Sequence, residues 1–403
     1  MSSVLPFDII VLLIDIVGEN NDTDLLKELA LVSHSFLQIC NKHLFATVEL
    51  HDAVPKYHLA SSKKGFIKLL KSRPDVINYI RKLRYKVTRN NDDDHLLLPL
   101  LSNLLPTISR LNCLAFSASM LDWNTLDSSL TSAVLRLMHL PTINHIDLSY
   151  IKNFPLSSLT PSINLHRLDI LYLNRSDRPE EDSCPEIVIQ LPKIREFHTS
   201  GSSLLTTKFL HAKRQDGQPA FNFMDLRRLS TGFSRSEDEQ NIRYLLQNAK
   251  LLERLHISTD LRRSLVGLLS PSARTLKVLE FTVFLYHHSV RLLTRLYEEL
   301  EAMAGHNMLE ALFFEVQIYS DGTDVIGSLI QKVEEVLAQP GWSALKQVSF
   351  KVLVVCGLLK EDCAKLSEAL QSLPDKYLSH NSKIESVTFN VINYSAYYVA
   401  NLY

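Results

Sequence analysis

A short pattern of apolar residues recurs along most of this chain and constrains its fold more than any other feature. The pattern has apolar side chains at its first, fourth and sixth positions, as in Leu252, Leu255 and Ile257, with threonine at the sixth position of two copies, Thr199 and Thr231. The eleven copies begin at Ile80, Leu111 or Ile108, Ile143, Leu168, Ile194, Leu226, Leu252, Leu276, Leu309, Leu345 and Ile384. With 46% hydrophobic residues a single match is uninformative, but intervals of 24 to 39 residues are typical of stacked repeats. The pattern therefore predicts a repeat array.

The segments between the copies carry helix signals. Ser236 and Glu239 have the spacing of a capping box, and the apolar periodicity of Val325 to Ala338 ends before Pro340. Alternating short strands and helices predict an α/β fold with a parallel sheet. Because leucine occupies 71 of 403 positions, we expect an irregular leucine-rich-repeat solenoid, a curved parallel sheet with its helices outside.

Side chains between the apolar anchors are predicted to line the concave face, because side chains alternate along a strand. At about 4.8 Å per strand, ten gaps cover roughly 48 Å, which suits a protein substrate better than a small metabolite. The candidate substrate contacts are Lys82, Arg84, Lys86, Tyr172, Arg228, Arg254, His256, Glu280 and Phe313. The alternative is a solvated sheet face without a ligand.

The first 50 residues predict three short helices. Pro6 lies near the start of the first and Gly18 at its end, Asp22 or Thr23 can cap the second, and Ser33 can cap the third. From position 8 to position 17, eight of ten residues are apolar, so the apolar surface surrounds the first helix. Three helices of about 40 residues cannot cover such a surface alone. We expect the rest of the chain or another protein to cover it.

The series Leu5-Pro6-x-Asp8-Ile9, then Leu31-Val32-Ser33-x-x-Phe36, then Leu44-Phe45 resembles an F-box of the fungal type over about 45 of the 403 residues. Asp8 replaces the commoner Glu of that family, and Phe36 stands where many members have Trp. The resemblance implies a three-helix F-box that holds the Skp adaptor subunit of a cullin-RING ubiquitin ligase, while the repeats present a substrate. The residues that the resemblance assigns to the Skp subunit are Leu5, Pro6, Ile9, Ile10, Leu13, Leu31, Val32 and Phe36. The alternative is a protein-binding scaffold whose N-terminal helices only cap the array.

Three segments follow from these patterns: an F-box-like helical domain at 1–50, a basic helical linker or cap at 51–79, and about 11 repeat units at 80–403. Residues 63 to 89 hold ten basic groups and one acid, directly before the acidic run 92–94. Such a block is expected to face water, with contact to an acidic partner or phosphate as the alternative.

The composition narrows the possible functions. The 43 basic and 44 acidic residues give a net charge of -1, which favours neither nucleic acid nor an anionic membrane as a partner. Five scattered cysteines fit a soluble protein of the reducing cytoplasm or nucleus. The spacing of Gly322 and Gly327 matches a phosphate-binding loop, but Ser328 and Leu329 follow where Lys and Ser or Thr are needed. We therefore expect a non-enzymatic protein without a cofactor or metal, and the F-box resemblance implies that it acts in the ubiquitin conjugation pathway.

Overall fold

A computed structural model of the chain describes residues 6–50, 63–87, 92–104, 110–173, 191–213, 217–285, 294–305, 307–318, 323–356 and 386–393, with the single positions 368 and 371. The chain forms two compact units. Unit 1 comprises Met1–Pro192 and His211–Phe221, and unit 2 comprises Lys193–Leu210 and Asn222–Tyr403. The predicted segment boundaries at residues 50 and 79 both lie inside unit 1.

Unit 1 begins with three helices, as predicted: α1 (Phe7–Glu19), α2 (Thr23–Ala30) and α3 (His34–Leu44). The side chain of Asp22 accepts a hydrogen bond from the Leu25 N–H, and that of Ser33 accepts one from the Phe36 N–H. Both predicted caps are therefore present, with Asp22 rather than Thr23 at the second helix. The helices enclose a small core of Ile14, Leu26, Ile39 and Cys40.

The rest of unit 1 combines parallel strands with helices. Its strands are β1 (Thr47–Leu50), β2 (Lys82–Lys86), β3 (Cys113–Asp122), β4 (His145–Lys152) and β5 (Arg167–Leu171), each paired in parallel with the next. Its helices are α4 (Lys63–Ser72), α5 (Asp92–Leu104) and α6 (Ser128–Met138), with 3-10 turns at Pro74–Tyr79, Trp123–Thr125 and Leu156–Leu159.

Unit 2 has the same construction. Its strands are β6 (Glu196–Ser200), β7 (Arg228–Phe233), β8 (Arg254–Thr259), β9 (Val278–Leu285), β10 (Ala311–Ile318), β11 (Gln347–Cys356) and β12 (Ser386–Asn393), again parallel and in chain order. Its helices are α7 (Ser203–Leu210), α8 (Ser236–Asn248), α9 (Thr294–Met303) and α10 (Thr323–Leu337), with a 3-10 turn at Ser270–Ser272. The predicted α/β class with parallel strands is thus confirmed, whereas solenoid curvature stays a prediction.

One backbone hydrogen-bond motif repeats from strand to strand and sets their register. The carbonyl oxygen of Asn112 accepts from the N–H groups of Asn144 and His145 at 3.0 and 3.1 Å. The same double acceptance occurs at Ala46, Arg81, Asn144, Arg195, Arg227, Glu253, Lys277 and Glu310. Each accepting residue lies directly after the first apolar anchor of its unit, so successive units begin in step.

The strand pairing corrects the register of the fourth copy. Leu168 pairs with Ile146 and Ile170 pairs with Leu148, so the unit begins at Leu165, three residues before the predicted start. The sequence fits both frames, because 165, 168 and 170 are apolar and so are 168, 171 and 173. Burial decides between them: Leu165 is fully buried, whereas Leu171 is partly exposed.

Two further copies are settled by their pairing. Leu114 pairs with Leu83, so the second copy begins at Leu111 and not at Ile108. In the last copy Val387 pairs with Phe350 and not with Val348, a shift of two residues from the predicted register. Because side chains repeat every two residues, this shift leaves each side chain on its predicted face.

Strand β1 was not predicted. It starts three residues after the end of α3, and Val48 and Leu50 pair with Leu83 and Tyr85 of β2. Its signal was present, because Phe45, Val48 and Leu50 match the one-four-six pattern. The parallel sheet of unit 1 therefore begins within the segment predicted to be wholly helical.

The predicted cap of α8 differs in one detail. The acceptor is Asp238, whose carboxylate accepts from the N–H groups of Ser234 and Arg235, rather than Glu239. The N-cap is Arg235 rather than the predicted Ser236, so the capping box lies one residue earlier and Ser236 is the first residue of the helix.

Candidate partner-binding surfaces

Helix α1 carries two apolar stripes. Ile10, Ile14 and Val17, spaced four and three residues apart, pack inward on the helical core. The second stripe has the same helical spacing on the opposite side and is between 42% and 55% exposed. It consists of Ile9, Leu12, Leu13 and Ile16, preceded by Phe7. The apolar surface that surrounds this helix is therefore covered on one side only.

Two further apolar side chains are exposed at the turn between α2 and α3. Leu31 is 88% exposed and Val32 is 64% exposed. The turn is fixed by local hydrogen bonds, because the N–H of Leu31 donates to Glu28 and that of Val32 donates to Leu29. With the outer stripe of α1, these residues form what we call the N-terminal apolar set: Phe7, Ile9, Leu12, Leu13, Ile16, Leu31 and Val32.

The remaining residues assigned to the Skp subunit lie elsewhere. Pro6 is exposed at the start of α1, whereas Ile10 and Phe36 are half-buried against the helical core. Their contribution inside the chain is to anchor α1 and α3. Leu5 lies outside the described residues.

A close contact holds α1 against α3. The Nε2 atom of His43 lies 2.7 Å from the Oδ1 atom of Asp15. Gly18 packs on the His43 ring so tightly that a Cβ atom at position 18 would overlap the imidazole. Gly18 lies inside α1, not at its end as predicted, and its role is this close approach.

The predicted concave-face residues, apart from Tyr172, lie on the open side of their strands. Burial alternates along β2, β7, β8 and β9, with the apolar anchors buried and the intervening polar residues accessible. The residues placed as predicted are Lys82, Arg84, Lys86, Arg228, Arg254, His256, Glu280 and Phe313. We call this side of the strands the open face.

Tyr172 is not part of the open face. It follows β5 and adopts a left-handed backbone with φ of 51°. The prediction placed it on the open face because the strand register lies three residues from the predicted one. Its ring stacks on that of Tyr150, which also has a positive φ, at a centroid distance of 5.1 Å. Both rings are partly exposed at the ends of their strands.

Charges on the open face are largely neutralised between neighbouring strands. Arg84 pairs with Glu49, and the Nη1 atom of Arg228 lies 3.3 Å from the Oε1 atom of Glu196. The Nζ atom of Lys351 lies 2.8 Å from Glu315 Oε2. Exposed pairs of this kind contribute little stability, typically less than about 1 kcal/mol each. They are more important as an ordered pattern of donors and acceptors.

His256 links three strands on the same face. Its Nδ1 atom lies 2.8 Å from the Ser230 hydroxyl, and its Nε2 atom lies 2.9 Å from the Thr282 hydroxyl. Burial lowers the pKa of His256, while Glu280 and Glu315 oppose this effect. The imidazole is therefore neutral at pH 7 and acts as a hydrogen-bonding bridge.

The basic segment contains a buried ion pair that sequence reasoning missed. The Nζ atom of Lys63 lies 2.6 Å from the Oδ1 atom of Asp94, and both side chains are only 1% exposed. The Tyr85 hydroxyl donates to the same carboxylate at 2.6 Å. Lys63 therefore does not face water, although Lys64 beside it does.

Asp169 is a second residue that the sequence reasoning missed, because the incorrect register assigned it to the wrong face. Once Leu165 is taken as the first anchor, Arg167 and Asp169 fall on the open face beside His145. The signal that would have found it is the alternative apolar frame of this copy.

The described residues contain neither a metal-ion cluster nor a membrane-spanning helix. Within the described ranges, no three His, Cys, Asp or Glu side chains are grouped so as to hold a metal ion. None of the described helices has the length and apolar character needed to span a bilayer. Comparison of the chain with protein-family models and with curated proteins finds no match.

Proposed function

We propose that this chain is a substrate-recognition adaptor that links a target protein to a Skp-cullin-RING ubiquitin ligase. The observation that carries the proposal is the exposure of the N-terminal apolar set on helices that already have a core of their own. Exposed apolar groups on a folded surface commonly mark protein interfaces. The F-box resemblance of the same segment supplies the Skp subunit as the partner.

The energetics support docking of this segment on another protein. Burying a large apolar side chain completely contributes about 1.5–3 kcal/mol, so each half-exposed member of the set has roughly 1 kcal/mol to gain from a partner. Seven such residues together contribute about 7 kcal/mol. This is comparable with the lower end of the association cost of about 4–15 kcal/mol, so polar contacts around the set are needed to complete a stable interface. The inner stripe of α1 keeps the helix folded when the partner is absent.

The open face is the proposed substrate surface. Its ordered array of Arg, Lys and Glu side chains offers charge-assisted hydrogen bonds to a protein target. In this function the chain has no catalytic group of its own. It acts by holding the target near a ubiquitin carrier, which raises the effective concentration of the reacting groups.

The test is co-purification with the Skp subunit. The full chain is co-expressed with that subunit, and Leu13→Asp and Leu31→Asp are compared with Leu204→Asp, an equally exposed apolar position on α7. We expect the first two variants to lose the subunit while the Leu204 variant retains it. If the unmodified chain does not retain the Skp subunit, the proposal is wrong.

A second function is favoured by the join between α3 and β1. Because β1 follows α3 closely and pairs with β2, the three helices also adjoin the first strand of the sheet. This is the placement expected of a helical cap on a protein-binding scaffold. If the chain is such a scaffold, its open face should still bind partner proteins in the Leu13→Asp variant. Adding purified ligase should then transfer no ubiquitin to those partner proteins.

A further inference from the structure

Three side chains form a hydrogen-bonded chain across β3, β4 and β5 of unit 1. The Nδ1 atom of His145 lies 3.2 Å from the Cys113 Sγ atom. Its Nε2 atom lies 3.0 Å from the Asp169 Oδ2 atom. The imidazole thus connects a thiol to a carboxylate, the order of groups found where cysteine acts as a nucleophile.

The carboxylate at the end of this chain is held in its ionised form. Asp169 is 8% exposed, and Arg167 donates to it through Nε and Nη2 at 3.2 and 3.0 Å. Burial alone would raise the pKa of Asp169, but the hydrogen bonds from His145 and Arg167 outweigh it and lower the pKa. A fixed negative charge therefore faces the imidazole.

This charge keeps His145 protonated. Burial lowers the pKa of His145, but the hydrogen bonds to Asp169 and Cys113 more than compensate and raise it to about 9. Both ring nitrogens then carry protons at pH 7. One N–H donates to Asp169, and the other donates to the sulfur of Cys113.

The other charged groups around the thiol are mixed in sign. On β2, Lys82 is the register neighbour of Cys113 on the side opposite His145, and Arg84 follows Lys82 on the same face. On β4, Asp147 is next to Ala115, and burial together with Asp169 raises the pKa of Asp147. The groups directly on either side of the sulfur are cations, which favour the thiolate form.

We propose that Cys113 is a nucleophilic thiol that is oxidised by small hydroperoxides, with His145 as proton donor and Asp169 as the residue that positions it. The thiolate attacks one oxygen of hydrogen peroxide, an S–O bond forms and the O–O bond breaks. Sulfur loses two electrons and the peroxide gains them. The leaving oxygen takes the Nδ1 proton of His145, which gives one sulfenic acid, one water molecule and a neutral imidazole.

The surroundings of Cys113 restrict the size of the oxidant. The residue is only 6% exposed, and the next side chain on the same face of β3 is the methyl group of Ala115. With so little surface exposed, the thiol is better suited to a small hydroperoxide than to a bulky disulfide. Cys40, which is fully buried among α1–α3 and whose thiol pKa is raised by burial, provides an internal control.

The test follows the reaction at each cysteine of the full chain. Alkylation by iodoacetamide and peroxide-dependent trapping of sulfenic acid are quantified at individual sites by mass spectrometry between pH 6 and 9.5. A cationic partner hydrogen-bonded to a sulfur increases its reactivity, whereas a buried thiol without such a partner is inert.

We expect Cys113 to be alkylated at least about 10-fold faster than Cys40 at pH 6.5. His145→Gln should abolish this advantage, Asp169→Asn should weaken it, and His256→Gln, a matched change on β8, should leave it intact. The proposal is overturned if Cys113 of the unmodified chain is alkylated no faster than Cys40, or if peroxide yields no trapped sulfenic acid at Cys113. Both of these measurements need no variant, so misfolding of a variant cannot obscure the result.

Discussion

Replacing Lys63 by Met is expected to destabilise unit 1 strongly. The substitution keeps most of the apolar stem but removes the cation that neutralises the buried Asp94 carboxylate at 2.6 Å. Removing one partner of a buried pair typically costs about 3–5 kcal/mol, because the other charge stays desolvated. The matched control Lys64→Met, at an exposed position of the same helix, should change stability by less than about 0.5 kcal/mol.

A double variant separates the charge from the packing. In Lys63→Met/Asp94→Asn neither buried charge remains, and the amide oxygen at position 94 can still accept from Tyr85, whose hydroxyl donates there at 2.6 Å. Most of the lost stability should return, giving a coupling energy of at least about 2 kcal/mol between the two positions.

The assay uses the two tryptophans, of which Trp123 lies in unit 1 and Trp342 in unit 2. Urea unfolding of unit 1 is followed by Trp123 fluorescence in a Trp342→Phe background, since Trp123 packs edge-on against Phe154 at 4.8 Å and loses this environment on unfolding. Equal midpoints for Lys63→Met and Lys64→Met would refute the reasoning, as would a double variant no more stable than Lys63→Met.

Three other predictions concern the core, the register and pH. Gly18→Ala should destabilise the N-terminal helices by about 1–3 kcal/mol, measured by circular dichroism during thermal unfolding, because the new methyl group overlaps the His43 ring. In urea unfolding, Leu165→Ala should lower the free energy of unfolding by about 2–5 kcal/mol and Leu171→Ala by less than about 1 kcal/mol. A larger loss for Leu171→Ala would instead support the register predicted from the sequence, which begins at Leu168. Burial raises the pKa of Glu299, although backbone N–H groups donate hydrogen bonds to its carboxylate. Glu299 therefore stabilises the folded state at pH values below its ordinary pKa of 4.5. This contribution is lost as pH rises through the higher pKa of the folded state. The free energy of unfolding of unit 2 in the Glu299→Gln variant should therefore increase relative to that of the unmodified chain as pH rises through this range. A difference in unfolding free energy that does not change with pH would contradict the raised pKa.

The strand positions could be predicted because the apolar spacing is local and strongly periodic. Nine of the eleven copies start a strand on the predicted face, since alternation along a strand fixes which side chains are buried. The second copy was left open between Leu111 and Ile108, and pairing settles it at Leu111. The fourth copy failed where two apolar frames overlap, and only pairing with Ile146 distinguishes Leu165 from Leu168. Strand β1 was overlooked because Phe45 was already assigned to the end of a helix.

The sites divide in the same way. Counting apolar residues predicted that the three-helix core leaves one side of α1 uncovered, because one helix cannot bury two opposite faces there. It left open whether the rest of the chain or another protein covers that side. The fate of individual members did not follow from the count: Ile10 and Phe36 turn inward, whereas Leu31 is almost fully exposed. That distinction depends on the direction in which neighbouring helices approach.

By itself, the amino-acid order determined the class of fold, the helix caps at Asp22 and Ser33, and the surplus of apolar surface on α1, because each depends on residues near one another in the chain. Only the tertiary structure decided which distant side chains meet. Lys63 forms an ion pair with Asp94, which lies 31 residues later in the sequence. Cys113, His145 and Asp169 lie on three different strands, and His145 contacts the other two. These contacts depend on the register between strands and on the packing of helices. Local spacing in the sequence leaves the strand register uncertain by two or three residues. A shift of that size gives a side chain a different neighbour or moves it to the other face of the strand.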